Sequence, residues 1–227
     1  MMEVNNVGKS LSPKLNTPEN FKKKNYEHVA RKLALVIQQI SNLSIPEKTI
    51  TDWKVLLSSI CIVDYKIDYI RDSDTRTLFV QKISNFLQGD MVDFSEDKDM
   101  EKAMSDVRTL SLSLSEPQRH FFIGSLLRIL KVTEEIKVEQ DPKNFVNLTR
   151  LEGQINSKVF LPFLPEEFKK SEDYQKLVHA LTRLGRVGNT FDTFVDFQSD
   201  YDNKQTQVQP SIFNKLLFLG AILSDSL

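Results

Sequence analysis

Six aspartates fall into two triplets with the same spacing, i, i+4 and i+8. They are Asp64, Asp68, Asp72, Asp192, Asp196 and Asp200. On an α-helix, residues at this spacing lie within about 80° of one another and form one stripe. Both triplets stand in segments rich in large apolar residues. The sequence therefore predicts two separate helices that each bear a stripe of carboxylates on an otherwise apolar surface.

Carboxylates in apolar surroundings destabilise a fold unless another interaction compensates for their repulsion and desolvation. Like charges at i, i+4 repel by about 0.2–0.5 kcal/mol, and an unpaired buried carboxylate costs several kcal/mol. A hard divalent cation would offset both costs, because Mg²⁺ binds carboxylate oxygens and shares its shell with water and phosphate. The alternative is that the stripes face solvent at the edge of the fold, or pair with Arg71, Arg76, Arg183 or Arg186.

The elements that hold these stripes are predicted from helical spacing of apolar residues and from prolines at helix starts. Glycine is scarce, at 7 of 227 residues, and no alternating strand pattern is evident. We expect an all-α fold, a single antiparallel bundle of about eight helices around a central cavity, with a kink at Gly185 and Gly188. The predicted helices cover roughly residues 18–40, 46–71, 75–87, 100–114, 117–137, 142–160, 171–203 and 212–223.

Composition excludes several classes of function. Thirty basic residues balance 31 acidic ones, for a net charge of -1, so nothing indicates a basic nucleic-acid-binding surface. No apolar run reaches the ~18 residues of a membrane span. The single cysteine, Cys61, cannot form an internal disulfide. These features predict a cytoplasmic protein that neither spans a membrane nor binds nucleic acid.

The N-terminal segment differs from the rest of the chain. Residues 1–17 are polar and lack the apolar core of a signal peptide. We expect them to be disordered. Helical patterning then continues without a linker, so residues 18–227 are expected to form one domain.

The second triplet resembles a motif of the class I isoprenoid synthases. The segment from Phe191 to Asp200 reads Phe-Asp-Thr-Phe-Val-Asp-Phe-Gln-Ser-Asp. It is similar to the D-x-x-x-D-x-x-x-D motif of the tetraprenyl-β-curcumene synthase type, and less closely to the downstream motif of squalene and phytoene synthases. The first triplet matches more loosely, because it lacks the adjacent aspartates of D-D-x-x-D. The matching elements cover about residues 53–203, two thirds of the chain.

This resemblance implies an enzyme, a lyase or transferase that ionises an allylic prenyl diphosphate, leading to cyclisation or condensation. All six aspartates would bind Mg²⁺ ions that hold the diphosphate, and Arg150, Arg186 and Lys204 are candidate donors to it. Arg150 lies in a segment, Asn147 to Gly153, that resembles the helix before the second motif.

The same resemblance suggests a substrate pocket, with Phe191, Phe194 and Asn189 as candidate lining residues. The chain is short for the superfamily, however, and no Arg-Tyr pair follows the second motif. An inactive relative, or a non-enzymatic α-helical interaction protein, is the alternative. An apolar cavity of several hundred Å³ below the aspartates would favour the enzyme. Substrate length, product and oligomeric state stay open, and a homodimer is compatible with the sequence.

Overall fold

The computed structural model describes residues 26–41 and 43–227, and that part of the chain contains α-helices and no strand. A 3₁₀ turn spans Leu161–Phe163. The nine α-helices are α1 Tyr26–Ser41, α2 Glu47–Tyr69, α3 Ser73–Gln88, α4 Lys98–Leu112, α5 Glu116–Val138, α6 Pro142–Asn156, α7 Glu166–Lys169, α8 Glu172–Asp202 and α9 Ile212–Ser226. The all-α prediction is confirmed. The predicted disorder of residues 1–17 and the predicted helix start at residue 18 lie outside the described residues.

The helix starts follow the local signals in the sequence. Pro46 precedes α2, and the side chain of Asp141 accepts a hydrogen bond from the backbone N–H of Asn144 at the start of α6. At the start of α5, the side chain of Gln118 accepts a hydrogen bond from the backbone N–H of Ser115. Each contact satisfies a backbone donor that a helix end leaves without a partner.

Three apolar clusters hold the helices together. The largest joins α1, α2, α4, α5 and the first half of α8 to the segment around the 3₁₀ turn. Trp53 is fully buried there, and its indole Nε1 donates to the carbonyl oxygen of Phe160 at 3.0 Å. A second cluster joins the end of α2 to α3, α4 and α5. The third joins α6, α8 and α9 through stacked and edge-on contacts of Phe145, Phe197 and Phe218.

The closest helix contact is between α6 and α8. A Cβ on Gly153 would lie 2.2 Å from the carbonyl oxygen of Gly185, and a Cβ on Gly185 would lie 2.2 Å from that of Gly153. Only glycine fits at either position. Helix α8 is continuous from Glu172 to Asp202 through the predicted kink, and Gly185 admits the neighbouring backbone.

Helix α1 packs against both α2 and α8. Its buried face is built on small residues, Ala30 and Ala34, together with Ile37. The two aspartate-bearing helices are therefore separated by α1 along much of their length. None of the described helices is both long enough and apolar enough to cross a membrane.

Candidate functional site

A polar pocket of about 390 Å³ lies where α2 and α8 end. Asp68, Tyr69 and Arg71 line it from the end of α2, and Asn203 and Gln205 line it from the segment after α8. We call it the acidic pocket. Both helices direct their C-terminal ends, which bear partial negative charge, towards this region, and such ends favour cations. The helix ends and the carboxylate of Asp68 thus give the pocket a cation-attracting wall.

Asp200, in the last turn of α8, lies next to this pocket but is not one of its lining residues. The backbone N–H of Gln205 donates to the carbonyl oxygen of Asp200 at 2.8 Å, which fixes the pocket wall to that turn. The pKa of Asp200 is raised from 3.8 to about 7, chiefly by burial and then by the negative charges of Asp196, Asp68 and Asp192, in that order. Carboxylates from both predicted stripes therefore act on one another at this pocket.

A buried lysine partly offsets this negative charge. Lys137, in the last turn of α5, has a side chain only 8% exposed and forms an ion pair with Asp68. Its positive charge lowers the pKa of Asp200, against the effect of the neighbouring carboxylates. Lys137 thus links the end of α5 to both aspartate-bearing helices.

Asp72 does not belong to the first stripe, so that part of the sequence prediction is wrong. Helix α2 ends at Tyr69, because Ile70 adopts an extended conformation. Asp72 instead precedes α3, where its carboxylate accepts hydrogen bonds from the backbone N–H and the hydroxyl of Thr75 at 2.8 and 2.6 Å. These bonds hold the pKa of Asp72 below its usual range. Aspartate is a preferred residue at such a helix start.

The premise that the stripes are buried is also wrong for most of their members. Asp64, Asp72, Asp192 and Asp196 are exposed, and only Asp68 and Asp200 are partly buried. Water solvates the exposed carboxylates, which removes most of their desolvation cost. The expected arginine partners are likewise absent at Asp68, whose ion pair is with Lys137.

The arginines predicted to bind diphosphate lie elsewhere. Nε and Nη2 of Arg150 each donate to the carboxylate of Asp225 at 2.7 Å. Arg186 donates to the side chain of Gln154, at 3.0 Å from Nε, and lies 3.6 Å from Asp225. Arg183 donates to the backbone carbonyl of Asp225 at 2.9 Å. These three arginines hold the end of α9 against α6 and α8, and the structure does not bring them to the acidic pocket.

Asp225 is the functional partner that sequence reasoning missed. It is buried, and its hydrogen bonds with Arg150 hold its pKa below the usual range. One signal was available: Asp225 is the only acidic residue of a largely apolar final helix. A lone carboxylate there predicts a cationic partner.

Lys204 is the predicted donor that the structure places beside the acidic pocket. It stands between the lining residues Asn203 and Gln205 and is exposed. Its φ is +59°, a left-handed backbone conformation that ends α8. Arg71, which sequence reasoning considered only as a partner for the aspartates, lines the pocket directly. Arg71 and Lys204 are therefore positively charged side chains at the opening of the acidic pocket, where they can attract an anionic ligand.

The three residues predicted to line a substrate pocket are dispersed. Phe191 is 55% exposed on the outside of α8, whereas Phe194 packs into the cluster of α6, α8 and α9. The amide nitrogen of Asn189 donates to the carbonyl oxygen of Thr149 at 2.9 Å and to Glu152 at 3.0 Å. Asn189 thus joins α6 to α8, and these side chains do not share one cavity.

An apolar cavity does lie against Asp64, but it is small. Its volume is about 70 Å³, and its walls are mostly aliphatic side chains of α2, α3, α4 and α5. Ligand pockets occupy about 300–1,000 Å³. This cavity would have to widen several-fold to admit an isoprenoid chain.

The carboxylates fit Mg²⁺ as single ligands or pairs. Within residues 26–41 and 43–227, no group of three or more His, Cys, Asp and Glu side chains is arranged to hold a metal ion. Proteins commonly bind Mg²⁺ through one or two carboxylates and complete its shell with substrate phosphate and water. Asp68 and Asp200 supply hard oxygen donors of that kind, beside the cations Arg71 and Lys204.

Comparison with known proteins gives no relative from which to transfer a function. No family model, curated protein or solved structure matches the chain. The resemblance to class I isoprenoid synthases therefore rests on the motif residues alone.

Proposed function

We propose that the acidic pocket binds Mg²⁺ together with a diphosphate group, and that the ligand is an allylic prenyl diphosphate ionised as in class I isoprenoid synthases. The observation that supports this proposal is that Asp68 lines the acidic pocket and lies close enough to Asp200 for its negative charge to raise the pKa of Asp200. These residues come from two triplets far apart in the sequence.

In this proposal, acidic residues bind the metal ion and basic residues attract the anionic ligand. Bound Mg²⁺ supplies Lewis-acid neutralisation of a diphosphate leaving group. Asp68 and Asp200 would contact the cation, while the ion pair with Lys137 holds the side chain of Asp68 in place. Arg71 and Lys204 stand at the mouth, where they attract the anionic ligand. Asp196 and Asp192 add negative charge along the same helix.

A prenyl chain also needs an apolar volume. The cavity against Asp64 is the nearest apolar space on α2, one helical turn before Asp68. Its walls include the flexible side chain Met104 and the aliphatic residues Leu126 and Ile129. Because methionine adapts its shape readily, we expect ligand binding to enlarge this cavity between α2, α4 and α5.

Thermal unfolding tests the binding step. Mg²⁺ with inorganic diphosphate should raise the Tm more than either alone, since a ligand at a hundred times its Kd adds about 2.7 kcal/mol. Asp200→Asn should remove this gain, whereas Asp90→Asn, an exposed aspartate after α3, should keep it. An unchanged Tm in the wild type would exclude the proposed site.

Product analysis tests the chemistry. The protein is incubated with Mg²⁺ and geranyl, farnesyl or geranylgeranyl diphosphate, and diphosphate release and hydrocarbon products are measured. We expect products with at least one of these substrates and none with Asp200→Asn. Binding without turnover would identify a ligand-binding relative in place of an enzyme.

A non-enzymatic helical interaction protein is the second candidate, and the small apolar cavity favours it. On this reading the aspartates are solvated surface residues, and the ion pair of Lys137 with Asp68 is structural. The same experiments separate the two functions. The interaction protein predicts no Tm shift with Mg²⁺ and diphosphate and no product.

A further inference from the structure

The outer surface of α8 and α9 is unusually apolar. Eight large side chains there are each 40–82% exposed. They are Leu184, Phe191, Val195, Ile212, Phe213, Leu216, Leu219 and Leu223. We call this surface the α8/α9 face. Single exposed apolar residues are ordinary, but a contiguous patch of this size marks an interaction site.

On α9 the exposed residues are spaced so that they form a row along one side of the helix. We call such a row a seam. Ile212, Leu216, Leu219 and Leu223 stand at i, i+4, i+7 and i+11, which places them on one side of the helix. The opposite side of α9 is already occupied, because Phe218 is buried against α6 and α8. The exposed seam is therefore not needed for packing within the described fold.

On α8 the same spacing recurs. Leu184, Gly188, Phe191 and Val195 also stand at i, i+4, i+7 and i+11. Each of the three large members is at least half exposed. The two helices thus present matching seams.

The two seams lie side by side and run in opposite directions. Phe218, in the middle of α9, contacts Phe197 near the end of α8, whereas Asp225, near the end of α9, contacts Arg183 in the first half of α8. The helices are therefore antiparallel. A half-turn about an axis perpendicular to the face exchanges one seam for the other, so the face has approximate two-fold symmetry of its own.

Each helix has a glycine on or beside its seam. No atom lies within 4 Å of the position that a Cβ would take on Gly188 or Gly220. Neither glycine is required by packing within the described residues, yet each costs about 1 kcal/mol relative to alanine in a helix. Glycine allows another backbone to approach closely, which suits a surface covered by further helices.

We propose that the α8/α9 face joins two copies of this chain in a two-fold symmetric dimer. Two-fold interfaces require a self-complementary surface, and antiparallel seams of equal spacing provide one. Eight exposed side chains offer on the order of 800 Å², which is what each partner of a standard interface buries. Lys215 is the only charged residue between Ile212 and Leu223, and interface centres are depleted of charge.

The charge around the face disfavours an anionic membrane as the alternative occupant. Asp192 and Asp196 lie on α8 beside the seam and are exposed. Helices that lie on anionic lipid instead surround their apolar side with lysine and arginine. The dimer does not depend on the function proposed for the acidic pocket.

The mass of the protein in solution tests this proposal. Light scattering and sedimentation should give about twice the chain mass of 26.2 kDa for the wild type at micromolar concentration. Leu216→Asp should give the monomer mass with unchanged helical circular dichroism. The matched control is Leu78→Asp on α3, where Leu78 is 71% exposed, and this variant should remain dimeric. A monomeric wild type would overturn the proposal.

Cross-linking tests the face without a charged substitution. Leu219→Cys in a Cys61→Ser background places one thiol in the middle of the face. A short bis-maleimide should then join two copies, whereas Leu78→Cys in the same background should not react in this way. Efficient cross-linking at position 78, or none at position 219, contradicts the proposed face. Flotation of a monomeric wild type with anionic vesicles would assign the face to a membrane instead.

Discussion

Lys137 neutralises carboxylates that come from two different helices. It forms an ion pair with Asp68, and its charge also lowers the pKa of Asp200. The net charge of this group is negative even with Lys137 present, because Asp196 and Asp192 stand nearby. Protonation of one carboxylate, or binding of a further cation, would stabilise such a group.

The first prediction concerns the pH dependence of stability. The folded pKa of Asp200, about 7, is above its unfolded value of 3.8, so the folded state binds the extra proton and stability falls as pH rises from about 4 to 7. Asp200→Asn should remove this dependence and raise the free energy of unfolding at pH 8 by about 1–3 kcal/mol. Urea unfolding of both proteins at several pH values measures this difference in free energy. A gain that is equal at pH 4 and pH 8 would contradict the assigned pKa.

The second prediction concerns the buried lysine. Lys137→Met should lower the free energy of unfolding at pH 8 by about 2–4 kcal/mol, because it leaves Asp68 without its partner next to Asp200. The loss should shrink at pH 5, where Asp200 is protonated. Lys131→Met is the control, since Lys131 is exposed on the same helix and lies 3.8 Å from Glu135. Urea unfolding at both pH values would refute this role if the two variants behaved alike.

Residue spacing predicted part of the site. Asp68 and Asp200 were selected because periodicity alone places them on their helices, and the structure brings them close enough for the charge of Asp68 to raise the pKa of Asp200. Arg150 and Arg186 were assigned to the wrong place, because nothing in their neighbourhood indicates Asp225, which follows far along the chain. Ion pairs between distant segments depend on tertiary packing, which a single sequence does not specify.

At the level of helices, the contact between α6 and α8 depends on two glycines. The third prediction is that Gly153→Ala lowers the free energy of unfolding by about 1–3 kcal/mol, because its methyl group would overlap the carbonyl of Gly185. Gly124→Ala is the matched control, since Gly124 lies in α5 with no atom within 4 Å of a Cβ. In that variant the free energy of unfolding should rise by about 0.5–1 kcal/mol, because alanine has a higher helix propensity than glycine. If chemical denaturation gave the same change in the free energy of unfolding for both variants, the close contact would be ruled out.

Helix identities were predictable from sequence, whereas one helix end was not. Apolar periodicity continues through Ile70, so α2 was expected to reach about residue 71 and Asp72 was expected to continue its stripe of carboxylates. The helix instead stops at Tyr69, and Asp72 begins α3 by bonding to Thr75. Aspartate stabilises a helix start more than a helix interior, and this local preference outweighs the longer pattern.

For the whole molecule, two aspartates give opposite pH dependences. Hydrogen bonds with Arg150 lower the folded pKa of Asp225, so its contribution to stability is present above its unfolded pKa, near 4, and is lost as pH falls through the folded value. The folded pKa of Asp200 is instead raised, so its contribution to stability is present at low pH and is lost as pH rises towards 7. The fourth prediction is therefore that the Tm is highest near pH 5, above the values at pH 3 and pH 8. A Tm that rises steadily from pH 3 to pH 8 would contradict it.

Helix α1 contributes no side chain to the acidic pocket, yet it is the spacer between the two helices that do. Its buried face presents Ala30 and Ala34 to the surrounding core. Because Ala30 and Ala34 each carry only a methyl group, α2 and the first half of α8 can pack closely against α1. A larger side chain at either position would push these two helices apart, so the spacing of the bundle depends on two alanines that lie outside the acidic pocket.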